Sequence, residues 1–333
     1  MHAESDHFKF AVIGAGLIGI KRSEALVKLG CRPVAVFDLD QERSARYAAT
    51  YGATLAQDID ELLALVGDDG IVVVATTHVA LAPVAERALA AGVHVLVEKP
   101  GAIDLESIDR LVSAASRAQG HVRVGFNHRF HPAVEMARQD LELGLLGPPL
   151  LVRATYGHGG RRGYENEWRF QRELSGGGEL LDQGSHLIDL ANYLLGGSVD
   201  HVYSSLASLY WPGAVEDNAF LHLREPTHDV QVWLHVSWTE WKNKFLLEIF
   251  CERGKVVVEG LGGSYGPETY RIYEMPDGLG PPVIRSTEFP PGDNSWSEES
   301  EDFLRGIRGG KTRGANLDDA RNVMMVVERA YRR

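Results

Sequence analysis

FKFAVIGAGLIG, residues 8–19, carries an apolar run straight into Gly-x-Gly-x-x-Gly. A helical pattern follows at once, so this stretch predicts the strand, turn and helix of a dinucleotide-binding βαβ unit. Each glycine has its own duty there. Gly14 permits the tight turn, Gly16 lets the backbone approach a pyrophosphate, and Gly19 allows the helix to pack closely on the strand. Leu17 and Ile18 open the helix, whose N–H groups and positive dipole end attract the anion. The plain alternative is a glycine-rich turn that holds no ligand. The next apolar run ends at Asp38, about 20 residues beyond the motif, where a carboxylate meets the adenosine ribose hydroxyls. An anion there disfavours a 2′-phosphate, so NAD is expected ahead of NADP, with Arg43 the residue best able to rescue NADP binding. The alternative is that Asp38 merely begins a turn, with Asp40 capping the next helix.

Outward from this motif, apolar runs at 8–13, 33–37, 71–75, 94–97 and 122–126 alternate with helical stretches, the pattern of a parallel sheet. Asp40, Asp58 and Asp104 stand where helix N-caps belong, and Glu61 completes a capping-box spacing with Asp58. After Phe126 the texture changes to a helix near 133–143, a strand near 150–158, a Gly- and Arg-bearing segment, and a helix over 180–195. Runs of β character follow at 199–210, 219–223, 230–238, 245–251, 255–259 and 270–274, which suggests an antiparallel sheet. Helices over 297–307 and 317–331 close the chain, capped by Ser297 or Trp296 and by Asn316. The expected fold class is α/β: an N-terminal Rossmann domain over 1–126, then an α+β domain over 127–333. A length of 333 residues fits two domains, because single cores stop growing at about 250–300 residues.

Acidic residues outnumber basic ones 46 to 34, a formal charge of −12 that repels polyanions, so nucleic acid is not expected as a partner. No run approaches the ~18 apolar residues of a membrane span, and the polar start Met1–His7 lacks a secretory pattern. Cys31 and Cys251, far apart in sequence, fit a reducing compartment and are expected to be buried and inert. A cytoplasmic protein is expected.

Glu98–Lys99–Pro100 follows the run 94–97, and GFNHRF at 125–130 overlaps the end of the run 122–126, so both lie at strand C-terminal ends, where open α/β sheets bind ligands. Further on stands GGGELLDQGSHLID, residues 176–189. With the glycine motif, these four segments in this order resemble the glucose–fructose oxidoreductase/inositol dehydrogenase family, usually called Gfo/Idh/MocA, over nearly the whole chain. The resemblance implies a Rossmann domain followed by a domain on an open, mainly antiparallel sheet, and oxidation or reduction of a sugar-like carbinol. It implies that Lys99 matches the family's active-site lysine and that Asp182 and His186 match its Asp-x-x-x-His pair. Thr76, His78, Glu98, Lys99 and Asn127 join the cofactor-binding candidates on the same ground. One departure is that Thr76–Thr77–His78 leads to Leu81, where the family often shows Thr-Pro-Asn and then a histidine.

Taken as residues, Lys99 can polarise a substrate oxygen or, if desolvated, exchange a proton; its bland alternative is an ion pair with Glu98. Pro100 is a candidate for a cis bond. Asp182 and His186, four apart, share a helix face, so the carboxylate can orient the imidazole; the alternative is a surface pair. Asp189, on the same face, is assigned a structural part. No third ligand with suggestive spacing turns this cluster into a zinc site, so no metal is expected. Arg161, Arg162, Trp168 and Arg169, within GGRRGYENEWR at 159–169, and Arg129 are the substrate-binding candidates beside Lys99, Asp182 and His186. Arginine suits phosphate or carboxylate and an aromatic face suits a sugar, while a plain solvated loop is the alternative.

The function expected is nicotinamide-dependent hydride transfer on a secondary alcohol or ketone of a sugar, cyclitol or sugar nucleotide. Its rivals are redox-neutral, NAD-assisted glycoside cleavage and a non-catalytic dinucleotide sensor, the latter opposed by Lys99, Asp182 and His186 standing together. His186 is nominated as base with Lys99 stabilising the alkoxide; the rival makes Lys99 the base. A homodimer or homotetramer is expected, since Trp233 puts an apolar group on the face of its strand opposite Val232 and Leu234.

Overall fold

Apolar runs too short for helices, each followed by a capped helical stretch, become βα repeats in the computed structural model, which describes residues 8–332. The start Met1–His7, read above as lacking a secretory pattern, lies outside the described residues. The repeats are β1 (Lys9–Ile13), α1 (Leu17–Lys28), β2 (Arg32–Phe37), α2 (Gln41–Tyr51), β3 (Thr54–Leu55), α3 (Ile59–Val66), β4 (Ile71–Val74), α4 (His78–Ala90), β5 (His94–Glu98), α5 (Leu105–Ala115) and β6 (Val122–Gly125). Their strands pair in parallel in the order β3-β2-β1-β4-β5-β6. All of Ile71–Val74 is buried, which is why β4 reads as a continuous apolar run rather than an alternation. β3 escapes sequence reading because both of its residues are exposed and two residues make no period. Asp40 accepts from the N–H groups of Glu42 and Arg43, Asp58 from Glu61 and Asp104 from Ser107. Glu61 reaches back to the N–H of Gln57 at 2.7 Å, one residue before the partner its capping-box spacing predicts.

The chain divides into two units, Met1–Asn127 with Trp296–Arg321, and His128–Ser295 with Asn322–Arg333. The single cut at 126/127 expected from the sequence is thereby corrected, because α9 (Ser295–Ile307) returns to the first unit. Phe303 and Leu304 of α9 enter the core cluster of Phe10, Val12, Leu26 and Leu96, each such burial being worth about 1.5–3 kcal/mol. Charge fastens the same helix: Arg22 of α1, fully buried, meets Glu98 at 2.5 Å and pairs with Glu299 of α9, under the Trp296 ring at 4.5 Å. The helix also starts earlier than the expected cap at Ser297 or Trp296, since Asp293 accepts from the Ser295 N–H at 3.0 Å.

In the second unit α6 (Pro132–Glu142), β7 (Pro149–Gly157), the single turn α7 (Arg172–Ser175) and α8 (Ser185–Leu195) precede β8 (Asp200–Ala207), β9 (Asn218–Glu225), β10 (Val230–Ser237), β11 (Lys244–Cys251), β12 (Gly254–Glu259), β13 (Thr269–Glu274) and β14 (Val283–Glu288). The sheet order is β14-β13-β12-β11-β7-β10-β9-β8. β7 sits between β11 and β10 and runs parallel to β10, so the sheet is mainly, not wholly, antiparallel. β14 was not legible in the sequence because every one of its residues is exposed. On β10, Val230, Val232, Leu234 and Val236 are buried, while Trp233 on the other face is 48% exposed and stacks on His222. The last helix, α10 (Leu317–Tyr331), is capped by reciprocal bonds between Asn316 and Asp319. Cys31 and Cys251 are buried, and burial pushes both thiols up to about 11. No helix among the described residues is long and apolar enough to cross a membrane.

Removing a buried cation leaves its partners as uncompensated charges. Arg22→Met is expected to cost about 3–5 kcal/mol in urea unfolding; a loss below about 1 kcal/mol would show that Glu98 and Glu299 do not depend on it.

Candidate functional site

In the first unit the glycine loop is shaped as the motif predicts. Gly14 has φ +96°, and a Cβ there would strike the Ala75 carbonyl oxygen; a Cβ on Gly19 would strike that of Gly14. Gly16 differs, since a Cβ on it would meet nothing within 4 Å, which leaves open space above the loop. It is also the N-cap of α1 and makes no side-chain cap bond, so that helix end keeps N–H groups for an anion. These features fit a dinucleotide pyrophosphate. Leu17, 70% exposed, and half-buried Ile18 begin the helix.

Asp38 closes the loop from β2. Its Oδ2 accepts from the Ala15 N–H at 2.7 Å and its Oδ1 from the Asp40 N–H at 2.8 Å. A carboxylate offers about four lone-pair sites, so these two bonds aim the group and leave capacity for ribose hydroxyls. Arg43 pairs with Asp40 at 3.1 Å on the surface. The Thr76 hydroxyl donates to the Thr77 carbonyl at 3.2 Å, and His78, the first residue of α4, is buried. Glu98 is held by Arg22, so its carboxylate serves the interior of this unit first. Lys99 is half-buried and precedes a cis bond to Pro100; Asn127 is buried after β6.

In the second unit Asp182 lies in a π-helical turn, Leu180–Gly184, that runs into α8, and His186 lies in the first turn of α8. Such turns recur at functional sites. Both side chains are buried. The Asp182 Oδ2 accepts from Arg169 Nε at 3.0 Å, and Arg169 also reaches Glu167 at 3.2 Å and covers the Trp168 ring at 4.9 Å. Arg161 pairs with Glu167 as well, and Arg162 is exposed. Two of the loop's arginines, Arg161 and Arg169, thus meet its own Glu167. Arg129 is buried and grips Asp189 with two bonds, 2.9 and 2.5 Å, because a buried guanidinium needs a carboxylate. That pair gives Asp189 the structural duty expected of it and fixes the Arg129 guanidinium in place.

Several residues that sequence reasoning did not single out line this cluster. The His128 ring stacks on His186 with centroids 3.8 Å apart. Tyr156 of β7 is buried beside them and burial drives its pKa well above the ordinary value, so it stays a neutral phenol; burial pushes Tyr265 up to about 12. Gln183 donates to the Tyr265 hydroxyl at 3.1 Å. Glu216 accepts from the N–H groups of Gly178 and Leu180, both at 3.1 Å, and from the Tyr331 hydroxyl at 2.7 Å. A Cβ on Gly177 would strike the Tyr331 hydroxyl and one on Gly178 the Glu216 carbonyl, which explains part of the glycine run before the turn. The glycines were the available signal; their partners lie too far away in sequence to be named from it.

Residues 8–126 match the family model for the oxidoreductase family, NAD-binding Rossmann fold, and residues 134–257 match that for the GFO/IDH/MocA C-terminal domain. The UDP-N-acetylglucosamine 3-dehydrogenase of Acidithiobacillus ferrooxidans is 36% identical over 133 residues, 40% of this chain and 41% of that protein. The inositol 2-dehydrogenase/D-chiro-inositol 3-dehydrogenase of Shouchella clausii is 30% identical over 66% of this chain and 60% of that one. Among solved structures, GenD2 from gentamicin A biosynthesis in complex with NAD superimposes with a TM-score of 0.83 at 25% identity, covering 98% of this chain and 93% of that one. The matched stretch thus spans less than two thirds of the first curated relatives, but nearly all of that structure.

The aimed carboxylate of Asp38 predicts tighter binding of NAD than of NADP. Titration of both should show it, with Asp38→Ser plus an added basic residue shifting the balance; equal or tighter NADP binding by the unaltered chain contradicts this.

Proposed function

We propose that this chain, which belongs to the Gfo/Idh/MocA family of NAD-binding oxidoreductases, transfers hydride between NAD and a secondary alcohol or ketone of a sugar, cyclitol or sugar nucleotide. The observation that carries the proposal is the buried π turn that delivers Asp182 and His186, on a chain whose first unit holds an open glycine cradle and Lys99 at a strand end. The names of the relatives, dehydrogenases of a sugar nucleotide and of inositols, support the substrate class.

Oxidation of a carbinol removes hydride from carbon and a proton from oxygen. The bound nicotinamide supplies the hydride acceptor. His186 takes the hydroxyl proton, since imidazole titrates near the working pH and can accept and return it. Lys99, at a strand end of the first unit, supplies an ammonium suited to stabilising developing alkoxide charge. Asp182, held by Arg169, accepts from a neighbouring substrate hydroxyl. Trp168, beneath the Arg169 guanidinium, offers ring surface to a pyranose or cyclitol.

The exposed face of the second unit's sheet carries Tyr203, Phe220 and Trp233, at 62, 46 and 48% exposure, with Phe220 stacked on His235 and Trp233 on His222. A sheet apolar on both faces calls for a second cover, and a second copy of the chain is the cover proposed, in a homodimer or homotetramer. Sedimentation at micromolar concentration should show an oligomer; monomer alone contradicts it. For the chemistry, His186→Ala should lose about 10²–10⁴-fold in turnover, the worth of general acid–base catalysis, and keep NAD affinity. Near-normal turnover of that variant on the same sugar would move the proton transfer to Lys99.

A further inference from the structure

His128 and His186 lie in one unit with their rings stacked, centroids 3.8 Å apart and planes 17° from parallel. Both are buried, at 7 and 6% exposure. His186 stands on α8, and His128 on the 3₁₀ turn Asn127–Phe130 that follows β6. Aromatic side chains border the pair. Tyr156 of β7 is 5.2 Å from His128 and 6.2 Å from His186, Phe245 of β11 is 6.2 Å from His128, and Tyr265 backs Tyr156 at 5.1 Å. His131 stands edge-on to His128 at 5.5 Å, with its Nδ1 2.8 Å from Glu268 and its Nε2 3.9 Å from Asp293. Glu268 and Asp293 meet His131, the neighbour of the stack, and Asp182 and Glu179, in and just before the turn ahead of His186, place negative charge beside Tyr156 on the same side of the site.

Two imidazolium ions face to face at this distance, with little water between them, repel strongly, so a second proton on the stack is disfavoured wherever the first one sits. We propose that His128 and His186 form a coupled pair that carries a single positive charge, and that His128 acts through His186 as a positioning residue for proton transfer. The proposal rests on His186 being the base. The proton that leaves the substrate hydroxyl arrives on a pair that must be uncharged beforehand, whichever ring would hold the charge. Acid then stops alcohol oxidation when either ring is protonated, not only His186. The consequence for the sequence is that the fourth residue of GFNHRF, at 128, sets the acid limb of the pH profile.

The test is an NMR titration of the full-length protein labelled with ¹⁵N in its histidine rings, which needs no substrate; the His186 signals are assigned by their loss in His186→Gln. In the wild type the His186 ring should titrate in two steps separated by at least about one pKa unit, a tenfold difference in proton affinity. His128→Phe keeps a stacked ring and removes the charge, so the His186 curve should collapse to one step. His128→Gln serves as a second variant, and retained NAD binding shows that each variant is folded. A His186 curve that is the same single step, or the same flat line, in the wild type and both variants overturns the proposal. Loss of the two-step curve together with near-normal turnover of His186→Ala leaves the coupled pair standing and removes the base assignment on which its catalytic meaning rests.

Discussion

A guanidinium with no exposure at all, that of Arg22, holds the first unit together at the place where its chemistry is offered. Arg22 comes from the helix that starts at the glycine loop, Glu98 from the strand that ends at Lys99, and Glu299 from the helix that returns near the end of the chain. A buried charge is tolerated only when paired, so the three elements are bound to one arrangement. The cluster also shapes its surroundings: a Cβ on Gly125 would strike the Arg22 Nη2, so any larger residue at the end of β6 would have to push the ion cluster aside. Burial works against the Arg22 cation, yet the two carboxylates raise its pKa above the ordinary value, so it stays charged throughout the range in which the protein works.

The second unit uses the same logic with hydrogen bonds instead of a full ion cluster. Glu216 collects two backbone N–H groups of the glycine run and the Tyr331 hydroxyl. Burial raises the Glu216 pKa and those bonds pull it back, a balance suited to fixing a turn. From that turn the chain enters the π-helical segment with Asp182, which Arg169 secures from the preceding loop. Asp217, the next residue, accepts from three consecutive backbone N–H groups, Leu209 to Trp211, each at 2.8 Å, and so shapes the β8–β9 connection.

What the sequence made legible was periodic or locally encoded. The parallel strands announced themselves as runs of buried Val and Ile, the helices by Asp40, Asp58 and Asp104, and the cofactor loop by glycines whose spacing is itself the geometry. β3 and β14 were silent because exposed residues carry no period. The return of α9 was silent because its anchor joins residues 277 apart in sequence, Arg22 and Glu299. At the site, Asp182 and His186 were legible as a spaced pair, but Arg169 and His128 beside them were not. Arg169 beside Asp182 and the His128 ring on His186 lie 13 and 58 residues away in sequence, beyond the reach of any local spacing. The Arg129–Asp189 pair was not legible, because its two residues lie 60 apart in sequence.

The most direct measurement follows the hydride itself. Sugars and inositols carrying deuterium on their carbinol carbons are incubated with the protein and NAD, and the nicotinamide is recovered for mass spectrometry. Hydride transfer predicts deuterium in the reduced nicotinamide from at least one sugar or cyclitol. A nicotinamide that stays unlabelled with every sugar, cyclitol and sugar nucleotide tried, while NAD is bound, contradicts it.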